Sequence, residues 1–446
     1  MTAPYLPPSP DWPLPAERRC YLFLQGPLGP FFRRLARRLR QRGHRTVRVN
    51  FNGGDVYDWP WPGTYCFRGP AEAWPDHVLN LARREGVTDI VLIGDCRPLH
   101  LAAADTLTSW NPDIRVHVYE EGYLRPDWVT LEERGVNARS SMPRSPAQIA
   151  TLPEGRMPRY GVHVGASTIR MGFRAMFSYF AMFLFGLVFR HYEHHRPDGP
   201  LREAGLWLRR LGGRNRRQHE AAVREHMLLR QGQPYFLVLL QLNVDKQILF
   251  HSPFANMRAY MAHVCESFAA HGPSDHLLVV KAHPLDNGRD DHEADLNAIG
   301  AGLGIADRLH FIDGGDLVNL LRGCTGVVTV NSTAGISALH RSIPLIALGS
   351  ALFDIEGLCH QGGLDSFWRQ PAPVDDNLYQ RWRNMVARRS QVNGNFYTRL
   401  GIRLVIDGSI PILEGTGPEL RDWPPPPPPG TPKPARPDRR PRFRRR

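Results

Sequence analysis

The chain has 446 residues, 42% hydrophobic and 22% charged, which suits two globular domains with additions and leaves ample apolar material for two cores. Its formal net charge is +13, but residues 431–446 hold eight Lys/Arg against one Asp, so this tail carries +7 and the rest only +6. That excludes a uniformly basic folded body. Six scattered cysteines form no CxxC pair and several sit in apolar runs, so they read as reduced, buried thiols of a cytoplasmic protein. The opening MTAPYLPPSPDWPLPAERR is proline-rich and lacks the apolar segment of a signal peptide.

From residue 18 a regular alternation begins. CYLFL (20–24) reads as a strand and QGPLGP as a turn. Phe32, Leu35, Ala36 and Leu39 follow at helical spacing with arginines on the outer face, and Gly43 closes that helix. Val47, Val49 and Phe51 alternate as a second strand ending in NGGD. Residues 71–84 read as a helix with Trp74, Val78 and Leu81 inward, and DIVLI (89–93) as a strand ending in GDCRP. After a short helix, residues 114–119 form a strand ending in EEGYLRP. Strand, helix, strand at this spacing predicts a parallel, doubly wound sheet, whose ligands bind at the carboxyl ends of strands.

Residues 147–233 break the rhythm and read as a helical insert. The stretch AMFSYFAMFLFGLVF (175–189) lies between Arg174 and Arg190. As a helix it spans ~22 Å against ~30 Å for a bilayer core. It is too short to cross, and is either a buried helix or one that docks on a membrane surface. HYEHHR follows, with His191 and His195 at a spacing usable for a metal or within a basic interdomain patch.

A second alternation starts at residue 234. Strands are predicted at 235–242, 276–281, 309–312, 326–330 and 343–348, with helices at 255–270 and 316–322 and another running from NSTAG through His340. Residues 377–388 and 396–405 read as closing helices. Six consecutive prolines, Pro424 to Pro429, precede the arginine-rich end and predict a disordered tail. The expected organisation is therefore an extension at 1–17, a first Rossmann-like domain at 18–146 and the insert at 147–233. A second Rossmann-like domain with closing helices follows at 234–422, then the tail at 423–446. Two such domains facing a cleft make a GT-B-like α/β fold, which does not by itself decide function.

Three motifs carry chemistry. KAHPLD puts Lys281 at the end of a strand, with His283 and Pro284 in the following loop, a cation and an imidazole suited to a nucleotide phosphate or to a purely structural role. NSTAG places Asn331, Ser332 and Thr333 where a helix starts, as a phosphate cradle or simply as its cap. EEGYLRP offers Glu120 and Glu121. Neighbouring side chains on a strand diverge, so one carboxylate faces the reaction centre and the other the turn, unless both are merely solvated. In a sugar site such a carboxylate serves as base or as nucleophile.

Taken together, FLQGPLGPFFRRLARRLRQRGH, VNFNGGD, EEGYLRPDWVTLE, HHRP, KAHPLD and NSTAGISALHR…PLIALG, in this order, resemble the KpsS/KpsC capsular polysaccharide family, most of all its single-module type, over residues 20–358. The resemblance implies a GT-B fold and transfer of Kdo (3-deoxy-D-manno-oct-2-ulosonic acid) from CMP-β-Kdo to a phosphatidylglycerol-type lipid, starting a linker before capsule export. Catalytic roles fall to Glu121 and His283. Glu121 stands where the related modules carry the aspartate of an EDGF-type motif, a departure of one methylene. Lys281, His283, Pro284, Asn331, Ser332, Thr333 and Arg125 would bind the donor. Gln25, Gly26, Asn52 and Asp55 would face the acceptor. No metal, cofactor or nucleic acid is implied. The implied partners are the nucleotide sugar, an anionic lipid and a capsule assembly or export complex, at the cytoplasmic face of the inner membrane. Another nucleotide-sugar donor, or a non-catalytic export component, are the competing readings.

Overall fold

Strands covered on both faces need continuous apolar sequence, and the runs that begin at residues 20, 235 and 277 become β1 (Cys20–Phe23), β7 (Tyr235–Leu239) and β8 (Leu277–Lys281), buried throughout. The structure is a computed structural model that describes residues 17–60, 62–152, 161–165, 168–193, 200–243 and 252–416. Most of the N-terminal extension, the HHRP element with His195, and the proline-arginine tail lie outside the described residues.

β1 is joined by β2 (Arg45–Asn50), β3 (Tyr65–Cys66), β4 (Asp89–Ile93), β5 (Arg115–Glu121) and β6 (Trp128–Glu133). β7 and β8 are joined by β9 (Leu309–Ile312), β10 (Cys324–Thr329) and β11 (Leu345–Ala347). The second sheet, ordered β11-β10-β7-β8-β9, is parallel throughout. The first runs β12-β6-β5-β4-β1-β2-β3, where β12 is Gln391–Asn393. Its strands β1 to β5 are parallel. β6 and β12 are antiparallel additions. The α/β architecture is GT-B-like, as expected, with one unread feature: residues 128–133 double back as a strand.

The end of the chain corrects the sequence reading. The closing segment, grouped there with residues 234–422, returns to the first sheet. β6 would otherwise be an open edge, and β12 pairs with it. The last helix, Arg399–Glu414, is longer than expected and lies against the helix Phe31–Gln41. Its Ile402, Val405, Ile406, Ile410 and Leu413 share one core cluster with Phe31, Phe32 and Leu35. At the far end, Arg42 donates to Glu414 at 2.5 and 2.8 Å and His44 lies 3.1 Å from the same carboxylate, all buried. Burial pushes the Glu414 carboxyl up, but the bonds from His44 and Arg42 outweigh it and the net shift is downward.

Among the described residues of 147–233 lie the end of a short helix, Pro146–Ala150, and the helices Thr168–Leu184, Pro200–Gly212 and Arg214–Gln231. Gly53 and Gly54 of NGGD let Thr168–Leu184 approach closely. A Cβ on Gly53 would stand 2.1 Å from the Ala181 carbonyl oxygen, and one on Gly54 2.3 Å from Ser178 Oγ.

The Glu414 cluster tests this closure. Glu414→Ala leaves a buried arginine without its carboxylate and should cost about 3–5 kcal/mol, read as a lowered urea midpoint. Because the folded carboxyl titrates below its unfolded value, the stabilisation is present above the unfolded pKa and disappears as pH falls through the folded one. The variant should lack that acid limb.

Candidate active site

The carboxyl ends of both sheets open on one cleft of about 1440 Å³. From the first sheet it is lined by the loops after β4 (Gly94–Arg97) and β5 (Glu120–Pro126). From the second come the loops after β7, β8, β9 and β10, including Gln241, Lys281, His283, Asp316 and Asn331. Each of these follows a parallel strand, where such sheets bind ligands.

EEGYLRP forms the first wall. Its bend needs Gly122, because a Cβ there would lie 2.2 Å from the Trp128 carbonyl oxygen in the hairpin back to β6. The Glu120 carboxylate accepts the Glu121 backbone N–H at 3.0 Å. The Glu121 carboxylate instead accepts the Tyr397 hydroxyl at 3.0 Å. Both glutamates, the last two residues of β5, border the cleft, but they differ in work: Glu120 braces the backbone and Glu121 is held by a phenol. Burial first, then the Glu121 charge, raises the Tyr397 pKa well above the ordinary value, so this phenol stays a donor. Arg125 reaches back to the Gly122 carbonyl at 3.2 Å.

KAHPLD forms the opposite wall. The Leu285 amide donates to His283 Nδ1 at 3.1 Å, which leaves Nε2 as the protonated nitrogen of the neutral ring. Burial lowers the His283 pKa to about 4, helped by the charges of Arg125 and Lys281, so His283 is a neutral N–H donor near pH 7. The influence of Arg125 on His283 ties the two walls together, one residue from each sheet. Pro284 lines the cleft beside it. Lys281 is buried and donates to the Gly314 carbonyl. Its pKa falls through burial, opposed by Asp313, Glu225 and Asp316.

NSTAG is engaged mainly with itself. Asn331 and Gln241 exchange two bonds, of 2.9 and 3.1 Å. Ser332 Oγ accepts the Ala334 amide at 3.2 Å, and the Gly335 and Ile336 amides bond to the carbonyls of Ser332 and Thr333. The helix that follows, Gly335–Leu339, is short. Ser332 therefore closes a local turn rather than capping the helix, whose N-cap is Ala334, while Asn331, Ser332 and Thr333 border the cleft.

The residues expected on the acceptor side come together away from the lining. Gln25 donates to Asp55 at 3.1 Å, Arg48 pairs with Asp55 at 3.0 Å, and Asn52 caps the Asp55 amide at 3.0 Å. Gly26 lies against Phe32, whose ring a Cβ would strike at 2.6 Å. Only Gln25 touches the cleft wall, accepting from Arg97 at 3.4 Å.

Sequence reasoning missed Tyr397, Gln241, Arg341 and Arg383. Arg341 and Arg383 line the cleft beside His340, whose pKa is lowered by burial and then by these two charges. Gln241 ends an apolar run and its polarity was a signal; Tyr397 and Arg383 carry none that is local.

Against known proteins, a family model described as capsule polysaccharide biosynthesis protein matches residues 88–397. The chain belongs to the capsule polysaccharide biosynthesis family. It is 35% identical over 378 residues to the capsule polysaccharide export protein KpsS of Escherichia coli, covering 84% of this chain and 96% of that one. It is 32% identical over 391 residues to the capsule polysaccharide modification protein LipB of Neisseria meningitidis serogroup B, covering 85% and 92%. Among solved structures, Thermosulfurimonas dismutans KpsC, a beta Kdo 2,7 transferase, overlaps 89% of this chain and 100% of its own, with a TM-score of 0.45 at 14% identity. That overlap is loose and decides nothing about chemistry. The family match spans EEGYLRP, KAHPLD, NSTAG and Tyr397 alike.

The His283 ring supplies a direct check. Its ring-proton NMR signals should stay constant from pH 8 to pH 5 and move only near pH 4, whereas an ordinary histidine titrates near 6.5. Arg125→Ala should raise this midpoint while burial keeps it below 6.5.

Proposed function

We propose that this chain is a glycosyltransferase that moves β-Kdo from CMP-β-Kdo to a phosphatidylglycerol or lysophosphatidylglycerol-type lipid, starting the linker on which a capsular polysaccharide is built before export. The observation that carries the reading is the carboxylate of Glu121, held by Tyr397 and opening on the same cleft as Arg125 and His283.

In this reading the donor phosphate lies toward His283, whose neutral Nε2–H donates to it, and toward Lys281 and the Asn331–Thr333 turn. Arg125 offers a planar fork to the Kdo carboxylate. A β donor and a β product mean net retention. Glu121 attacks the anomeric carbon as the bond to CMP breaks, and CMP leaves with the electron pair, its charge met by the cationic wall. The acceptor hydroxyl then attacks the anomeric carbon, Glu121 leaves with the bonding pair as a carboxylate, and the hydroxyl proton passes to the phosphate of the departed CMP. Tyr397 keeps Glu121 oriented in both steps. No metal or cofactor enters, since a single leaving phosphate is neutralised by side chains. The lipid acceptor places the work at the cytoplasmic face of the inner membrane, within a capsule assembly or export complex. The name of the Escherichia coli relative supports a second reading, a non-catalytic export component.

The assay combines CMP-Kdo generated in situ with a fluorescent lysophosphatidylglycerol. The wild type should yield product, and Glu121→Gln and His283→Ala should each lower the rate by about 100-fold or more. Undiminished product in both variants would overturn the mechanism, and normal capsule in cells carrying them would favour the export reading. Competition with CMP-sialic acid and UDP-sugars reads the donor. Intact-mass detection of a Kdo adduct on Glu121, with acceptor withheld, separates nucleophile from base.

A further inference from the structure

The helix Thr168–Leu184 is apolar on the side that solvent sees. Phe173, Met176, Phe177, Phe180, Phe183 and Leu184 are all exposed, from 47% to 59%. Leu187, in the turn beyond, is 95% exposed. The opposite side is pinned: Ser178 and Ala181 sit on Gly53 and Gly54, and Phe177 stacks on Tyr57 at the edge of that contact. The helix is thus not a core helix with a few stray apolar residues. It is a stripe of large, mostly aromatic side chains with no cover among the described residues, where soluble surfaces rarely keep such a patch without use.

The charge around it is one-sided. Residues 168–190 contain Arg170, Arg174 and Arg190 and no Asp or Glu. On the neighbouring helix Phe31–Gln41, exposed Arg34 stands near Arg174, Arg33 and Arg399, whose charges add to burial in lowering its pKa. An aromatic stripe whose own segment carries three arginines and no acidic residue, with Asp58 of the facing helix near Arg174, complements an anionic lipid surface better than a protein groove. No helix of the described residues is long and apolar enough to cross a membrane. Thr168–Leu184 is fixed to the Gly53–Asp58 helix and also meets the helix Pro200–Gly212, and the exposed stripe is what it has left to offer.

We infer that the outer side of Thr168–Leu184, continued by Leu187, is a docking surface that lies in the plane of an anionic bilayer and holds the cleft against it. This deepens the lipid-acceptor reading but draws on separate residues. The cleft is tied to the anchor through a chain of contacts. Asn52 and Asp55, on the segment that bears Gly53 and Gly54, hold Gln25 through Asp55, and Gln25 in turn bonds Arg97 on the cleft wall. An acceptor headgroup drawn from the docked bilayer would meet that wall first.

The test floats the full chain on vesicles in a density gradient, with no sugar transfer read. Wild type should float with phosphatidylcholine doped with phosphatidylglycerol and far less with phosphatidylcholine alone, and high salt should weaken it. Phe177→Glu with Phe180→Glu should float about tenfold less, while Phe177→Leu with Phe180→Leu should float as wild type does. Arg170→Glu with Arg190→Glu should lose the preference for doped vesicles. Where glutamate disturbs the helix, benzoylphenylalanine at position 180 should crosslink to lipid. The inference is overturned if wild type does not float, if the folded glutamate variant floats unchanged, if position 180 gives no lipid adduct, or if the stripe proves to hold a second copy, seen as a vesicle-free dimer that Phe180→Glu dissociates. A chain that floats but transfers nothing overturns the transferase reading alone; one that transfers to a soluble acceptor without floating overturns this one alone.

Discussion

The cleft depends on an edge strand finding a partner. β6 doubles back from EEGYLRP and leaves its outer edge open until the chain returns, more than 250 residues later, as β12. That pairing does more than close the sheet. Gln391 accepts the Leu124 amide at 3.3 Å and donates to Thr130 at 3.0 Å, and Thr130 donates to the Glu121 carbonyl at 3.1 Å. Asn393 and Gly394 donate to the Asp127 carbonyl at 2.7 and 2.8 Å. The loop that carries Glu121 and Arg125 is therefore stitched along its length to the returning strand. Tyr397, four residues past β12, then lands on Glu121. Positioning of this kind fixes a carboxylate before substrate arrives, which is where preorganised sites gain their rate.

Charge in the cleft is separated by wall. Asp95, Glu120 and Glu121 lie on the first sheet, with Arg97 and Arg125 among them. Lys281 and Arg341 lie on the second, with Asp316, and Arg383 reaches in from the helix Asp376–Ser390. Burial disfavours an imidazolium here, and the charges of Arg125 and Lys281 add to that, so His283 stays neutral. A neutral donor next to fixed cations binds an anion without exchanging a proton with it. Lys281 complements this from below. Its bond to Gly314 and its acidic neighbours spend much of its charge on holding the loop after β9, which leaves Arg125 as the exposed fork of the site.

Periodicity made most of the parallel framework legible, because buried parallel strands are continuous apolar runs and their carboxyl ends are marked by glycine and proline. It placed EEGYLRP and KAHPLD at strand ends for the same reason, while the choice of Glu121, His283 and Arg125 within them rested on the family resemblance. Periodicity failed where the signal is non-local. β12 has three residues, too few for a pattern, and Tyr397 is 276 positions from its partner. NGGD was given an acceptor role by the resemblance, and its packing is what periodicity could not show: Gly53 and Gly54 let a helix backbone come close, while Asp55 pairs with the buried Arg48. NSTAG read as a cradle or a cap, and in the structure the Gly335 and Ile336 amides bond to the carbonyls of Ser332 and Thr333 while the turn borders the cleft.

The apolar helix shows how one ambiguity was resolved by packing. A run of Phe, Met and Leu on a 3.6-residue repeat fits a core equally well, and sequence alone left both readings open. The decisive fact is the width of the covered side. Contact through Ser178 and Ala181 needs only a narrow strip, because Gly53 and Gly54 bring the backbones close enough that no large side chain is required between them. The large side chains are displaced to the rest of the circumference and reach solvent. Close packing by small residues thus does two things at once. It fixes the helix to Gly53–Asp58, which follows β2 in the unit that carries Glu121, and it leaves the aromatic residues exposed. A flexible tether would provide the second without the first, and could not hold the mouth of the cleft at a set height above a lipid surface.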